Sequence, residues 1–213
     1  MKKIILTAFL VVSIAFSLSS ANAALVNVDL GLPDILSDQT GIYTYTWDTN
    51  IGEGLFTARA TPFAISFDGK TVEPITGAAS YTASFYVDGS GNLTGGVGGD
   101  DLVITGDVGT YSGNLITGEI SSFGWQAAGS GISVFNFTFD VTGGALAQDY
   151  YQQGLGGNVM TAEKSDFADN WMVDHEGIKV KHDTAPVVPI PGTVWLLSAG
   201  LVAMVGLRRK YKG

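Results

Sequence analysis

Phe135-Asn136-Phe137-Thr138-Phe139-Asp140-Val141 alternates apolar and polar side chains over seven consecutive positions. On an extended strand successive side chains point to opposite faces, so this spacing gathers three phenylalanines and a valine on one face and leaves Asn136, Thr138 and Asp140 on the other. A helix of 3.6 residues per turn would scatter the same rings around its circumference. The pattern recurs upstream. Tyr43, Tyr45 and Trp47 alternate with Thr44, Thr46 and Asp48, and Tyr81, Ala83, Phe85 and Val87 alternate with Thr82, Ser84 and Tyr86. Shorter candidate strands are 55–60, 63–67, 101–105, 114–120, 123–126, 159–164 and 178–181. Between them stand turn-forming pairs such as Asp68-Gly69, Asp88-Gly89, Gly98-Gly99 and Gly143-Gly144. About ten short strands at this spacing predict an all-β fold, an antiparallel β-sandwich or jelly-roll-like domain. Ala145–Gln153, closed by Gly154, reads as one short helix, and 183–188, with a proline at 186, reads as a linker.

Charge is distributed unevenly along the chain. All 20 acidic residues lie between Asp29 and Asp183, where only Arg59, Lys70, Lys164, Lys179 and Lys181 oppose them, a net charge of −15 (five against 20). The other six basic residues lie at the two ends, so the whole-chain value of −9 understates how acidic the body is. A body this acidic repels phosphate backbones, which disfavours nucleic acid as a partner. The 29 glycines suit turns, and the absence of cysteine rules out a disulfide scaffold.

Met1–Ala23 reads as a secretory leader. Lys2 and Lys3 precede the apolar stretch Ile4–Phe16, and Ala21-Asn22-Ala23 supplies small residues for cleavage between Ala23 and Ala24. At the other end, Val188-Pro189-Ile190-Pro191 precedes Gly192–Leu207, an uncharged run of sixteen residues, and then Arg208-Arg209-Lys210-Tyr211-Lys212. As a helix the run spans roughly 24 Å, a little short of a ~30 Å hydrocarbon core, a mismatch that bilayer thinning and the flanking cations absorb. The basic cluster places the C-terminus on the cytoplasmic side and the body outside the inner membrane. The domain organisation expected is therefore a signal peptide at 1–23, an exported acidic β-sandwich domain at 24–182, a linker at 183–188 and a membrane-directed tail at 189–213, with a transmembrane helix at 192–207.

The tail also resembles a known family. Val188-Pro189-Ile190-Pro191, Val194-Trp195-Leu196-Leu197, Gly200-Leu201 and Arg208-Arg209-Lys210 are similar to the PEP-CTERM sorting signal of Gram-negative bacteria, with Ile190 where glutamate is commonest. The resemblance covers the last 26 residues or so and implies an exosortase-like membrane transpeptidase as processing partner, a transient inner-membrane anchor, and final placement at the cell surface or outside it. The family's association with exopolysaccharide and biofilm formation makes exopolysaccharide a candidate partner.

The body offers little chemistry. Asp88-Gly89-Ser90-Gly91-Asn92 has oxygen-bearing side chains at alternate positions, yet an EF-hand needs Gly at its sixth position and Glu at its twelfth, where this chain has Leu93 and Gly99. It reads as a hairpin turn. Asp174-His175-Glu176 and Lys181-His182-Asp183 hold both histidines; on a strand Asp174 and Glu176 share a face without His175, and the segment reads as a solvated strand end. Neither a Gly-x-Ser-x-Gly elbow, a His-Glu-x-x-His pair nor a phosphate-binding loop occurs, so no catalytic, cofactor or metal residue is nominated. Trp125 and Trp171, if exposed, would suit sugar stacking. The sequence therefore points to a non-enzymatic surface or matrix protein. The alternatives are a carbohydrate-binding module and, further off, a polysaccharide-modifying enzyme.

Overall fold

The computed structural model describes residues 25–188 except Asn27. They form twelve strands and one helical turn: β1 Asp34–Ser37, β2 Gly41–Asp48, β3 Glu53–Ala60, β4 Pro62–Ser66, β5 Glu73–Pro74, β6 Thr76–Asp88, β7 Leu93–Gly96, β8 Leu102–Val108, β9 Tyr111–Gly129, β10 Ile132–Gly143, α1 Ala147–Tyr150, β11 Leu155–Ser165 and β12 His175–Pro186. Every pairing is antiparallel, so the expected all-β antiparallel class is what forms.

The order of pairing follows the order of the chain. β2 pairs β3, β3 pairs β6, and β6, β8, β9, β10, β11 and β12 follow, each against the next. β12 then returns to β2, through His175↔Tyr45 to Val180↔Gly41, and closes a ring of eight strands. Where β12 leaves β2 it meets β1, which carries β4 and β5 as a short extension of the wall. Opposite walls face each other across one interior, as the layers of a sandwich do. The connectivity is a closed meander, however, and not the Greek keys of a jelly roll.

Eight strands enclose a space that side chains alone can fill. The inward set is the one that the alternation marks: Tyr43, Tyr45, Phe56, Tyr81, Phe85, Phe135, Phe137 and Phe139 are all buried. Rings from opposed walls touch, with centroids 4.9 Å apart for Tyr43 and Phe135, 5.2 Å for Phe56 and Phe135, and 5.7 Å for Phe85 and Phe137. Burial of each such ring is worth roughly 1.5–3 kcal/mol, and cutting Phe135 back to Ala would cost about 3–5 kcal/mol through the void it leaves. The outer wall carries Thr44, Thr46 and Thr138. Apolar inside and polar outside is the reverse of the arrangement a lipid-spanning barrel requires.

Three expectations change. The candidates at 114–120 and 123–126 are one strand, β9, in which Ser121 is an extra residue between the pairs Phe139↔Ile120 and Thr138↔Ser122. That bulge switches the parity, so Ile116 and Ile120 point inward before it and Phe123 and Trp125 after it. The helix covers only Ala147–Tyr150, because Ala145 and Leu146 donate their N–H groups to Asn114 and Leu115 at 2.8 and 3.0 Å and so remain attached to β9. The linker expected at 183–188 is instead largely strand: β12 continues to Pro186, and Thr184 and Ala185 are buried. Among the described residues no helix is long and apolar enough to cross a membrane, and the span expected at 192–207 lies outside them.

Candidate functional site

Val188, the first residue of the expected sorting motif, is held by the two ends of the described body. Pro186 has no N–H to give and stands last in β12, where a ladder can lack a donor. Its carbonyl accepts the Gly31 N–H at 2.7 Å. Val187 bridges Leu30 and donates to the Leu155 carbonyl at 3.1 Å. Val188 donates to the Asp29 carbonyl at 2.9 Å, and its side chain is 45% exposed. Beside it opens a groove of about 380 Å³ lined by Leu32, Tyr150, Gln152, Leu155 and Val187. Pro189, Ile190, Pro191, Arg208, Arg209 and Lys210 lie outside the described residues, as do Ala21, Ala23 and Ala24 of the expected leader cleavage site.

The N-terminal segment that pairs with this exit was not anticipated. Its described residues, 25–26 and 28–31, lie across the outside of the barrel as a strap. Val26 donates its N–H to Asn136 Oδ1 at 2.9 Å, and Asn136 Nδ2 returns a hydrogen bond to the Val26 carbonyl at 2.5 Å. Asn136, on the outward face of β10, is thereby buried. Gly157 is necessary beneath the strap, since a Cβ there would stand 2.4 Å from Val28 Cγ1 and 2.9 Å from Leu30 Cδ2. A signal did exist in the alternation of Val26, Val28 and Leu30 with Asn27, Asp29 and Gly31, too short to separate from the expected leader beside it.

Both histidines are core residues and not members of a solvated strand end. His175 is 4% exposed and lies among Tyr45, Phe167 and Trp171, with ring centroids 4.7, 4.7 and 5.0 Å away. His182 is wholly buried, with Tyr81 4.1 Å away. Burial holds His175 down to about 4, although the Asp166 and Asp174 charges pull it up, and burial alone holds His182 down to about 3. The carboxylates near His175 bind backbone: Asp174 accepts from the Trp47 N–H at 2.8 Å and Asp166 from the Glu176 N–H at 2.6 Å.

The remaining candidates are structural. Asp88 does make a turn, its Oδ1 accepting the N–H groups of Ser90 and Asn92 at 2.8 and 2.9 Å. Trp125 and Trp171 are buried edge to face, 5.6 Å apart, and form no sugar platform. Asp101, 2% exposed, accepts from Val97 and Ile120 at 2.7 and 2.9 Å and fastens the turn before β8. Half-buried Asp34 is pushed up to about 6, by burial first and by the Asp183 charge second. Among the described residues no three histidine or carboxylate groups converge as metal ligands do. No protein-family model, curated protein or solved structure gives a significant match to the chain.

Proposed function

We propose that this is an exported surface or extracellular-matrix protein of the exopolysaccharide- or biofilm-associated kind, whose barrel is delivered through its C-terminal sorting signal. The observation that carries this reading is the order of the tail: Val188-Pro189-Ile190-Pro191, then sixteen uncharged residues, then Arg208-Arg209-Lys210. Prolines keep the chain extended outside the bilayer, in a form that a membrane-embedded exosortase-like transpeptidase can take as a strand. The setting of Val188 supports it, because the motif's first residue has an exposed side chain while its N–H is held by the Asp29 carbonyl. The body is first periplasmic, anchored in the inner membrane, and then reaches the surface or the medium. No catalytic role is assigned, and the filled interior favours a structural or adhesive body.

The test is a body-directed immunoblot of membrane fractions and medium, with intact-mass measurement. The parent chain is expected to shorten near Pro189 and move outward, while the Pro189→Ala/Pro191→Ala variant stays full-length in the inner membrane. A parent that keeps Gly213 and remains in the inner membrane would show an ordinary anchored protein.

A further inference from the structure

Three residues, 189–191, separate Val188 from Gly192, where the apolar stretch begins, so four Cα–Cα steps join them. A fully extended chain advances at most ~3.3–3.6 Å per residue, so Val188 lies within about 14 Å of that stretch whatever path the chain takes. Headgroups occupy roughly the first 5–8 Å outside the hydrocarbon. An inserted tail therefore holds the Val188 end of the barrel against the membrane surface.

The composition of that end suits the position. Leu32, beside Val188 in the groove, and Val72, on the loop between β4 and β5 at the same end, are exposed, 44% and 58%. The loop that carries Val72 touches Leu32, since a Cβ on Gly69 would stand 3.6 Å from Leu32 Cδ1. Behind them Phe67, Tyr111 and Tyr150 form a half-buried cluster, with Phe67 5.1 Å from Tyr150 and 6.2 Å from Tyr111. The Tyr111 hydroxyl donates to Asp149 at 2.9 Å. Tyrosines beside aliphatic tips are the side chains that settle at a headgroup boundary, apolar at one end and polar at the other. Asp68, Glu73 and Asp149 outnumber Lys70 around them, so charge does not attract this end to anionic lipid. The match is to neutral, zwitterionic headgroups, with the tether supplying a high effective concentration.

We propose that the end of the barrel formed by Leu32, Val72, Tyr150 and Val188 rests on a zwitterionic lipid surface while the tail is anchored. This depends on the tail's membrane reading given above and adds which surface faces the bilayer. The opposite end supplies a matched control. Met172 is 61% exposed, as open as Val72, but lies beyond the far end of β12, on the order of 25–30 Å away along a tilted twelve-residue strand.

The chain has no cysteine, so V72C and M172C each give a single labelling site, and K70C repeats the test on the Val72 loop. The full chain is reconstituted in phosphatidylcholine vesicles with a nitroxide on a fraction of the headgroups, and fluorophore quenching is read at each site. Labels at 72 and 70 are expected to be quenched several-fold more than the label at 172, equally at low and high salt. Equal quenching at both ends in protein that floats with the vesicles overturns this orientation alone. Quenching at 72 that is only between labelled copies, and independent of the nitroxide lipid, assigns the surface to a second copy and also overturns it. Failure to float overturns the anchored tail and this inference with it.

Discussion

Acid should unfold this barrel through His182. Its ring lies on the inward face of β12 opposite Met160, against Tyr81, and neither ring nitrogen has a hydrogen-bond partner. Burial lowers it from 6.5 to about 3. The unfolded chain takes up that proton once the pH falls below about 6.5, while the native state refuses it until about 3. The stability is thus fully present above 6.5 and is lost as pH falls, at ~1.4 kcal/mol per pH unit. A shift of about 3.5 units is worth on the order of 5 kcal/mol by pH 3, against roughly 5–15 kcal/mol for a whole domain. His175 adds a loss of the same sign down to about 4. Asp34 acts in the opposite sense: the stability its native proton contributes is fully present below about 3.8 and is lost as pH rises from there through about 6; half-exposure screens that effect. The assay is urea unfolding of residues 25–188 at several pH values between about 7 and 4.5, for wild type and His182→Leu. At pH 7 the two should lie within about 1–2 kcal/mol, since the volumes are similar. Below about pH 6 their curves should converge or cross, the variant falling less steeply by ~1.4 kcal/mol per unit. Because only the difference between the two chains is read, the surface carboxylates cancel. Parallel curves would show that His182 is hydrated or partnered in solution, and the account of the core would be wrong.

The strap and the strand end carry further expectations. Gly157→Val should push Val28 and Leu30 off β11 and cost about 1–3 kcal/mol, read as a lower Tm of the 25–188 chain with an unchanged strand signal in far-UV circular dichroism. A chain ending at Asp183 loses buried Thr184 and Ala185 and leaves Asn158 Nδ2 without its 2.7 Å acceptor, Thr184 Oγ1; it should melt clearly below a chain ending at Val188. Asp88→Ala removes the acceptor for two backbone N–H groups and should cost about 1–2 kcal/mol, while calcium leaves the melting curve of the parent unmoved.

The inward faces were legible because they depend only on the two-residue repeat, and Tyr43, Phe85 and Phe137 obey it. It fails wherever a bulge changes parity. In β12 the register shifts between Ile178 and Val180, and Lys179 takes φ +57°, a conformation for which its side chain gives no local signal. Strict alternation back from Val180 would bury Ile178 and expose Gly177 and His175. Instead Ile178 is exposed while Gly177 and His175 lie inside, so the placement of His175 depends on a bulge that the sequence does not announce. At the candidate site Val188 was legible as the start of a motif, from composition alone. Its hydrogen bond to Asp29 was not, because the two residues are far apart in the chain and periodicity within a segment carries no information about partners at long range.

Closure links that long-range contact to the role proposed for the protein. A meander of eight strands has two free edges until its first and last strands meet, and each edge is a row of unpaired N–H and C=O groups open to another chain. Here β12 covers both at once, with β11 along one side and β2, then β1, along the other. The short β5 and β7 are the edges left among the described residues. Beyond β1 the strap takes over, pairing at Leu30 and Asp29 with Val187 and Val188. The residues that close the ring on β2, His175–Val180, are followed by those that pair with β11, β1 and the strap up to Val188, so a body released by a cut beyond Val188 would keep these pairings, whereas a cut inside β12 would open an edge. A matrix protein present at high local concentration needs that distinction, because an open edge in such company pairs with its neighbours. The acidic, threonine-rich wall adds mutual repulsion between copies. Among the described residues Val188 is the last that carries a backbone hydrogen bond to the strap, and it is also the first residue of the proposed sorting motif, so processing beyond it would leave these pairings intact.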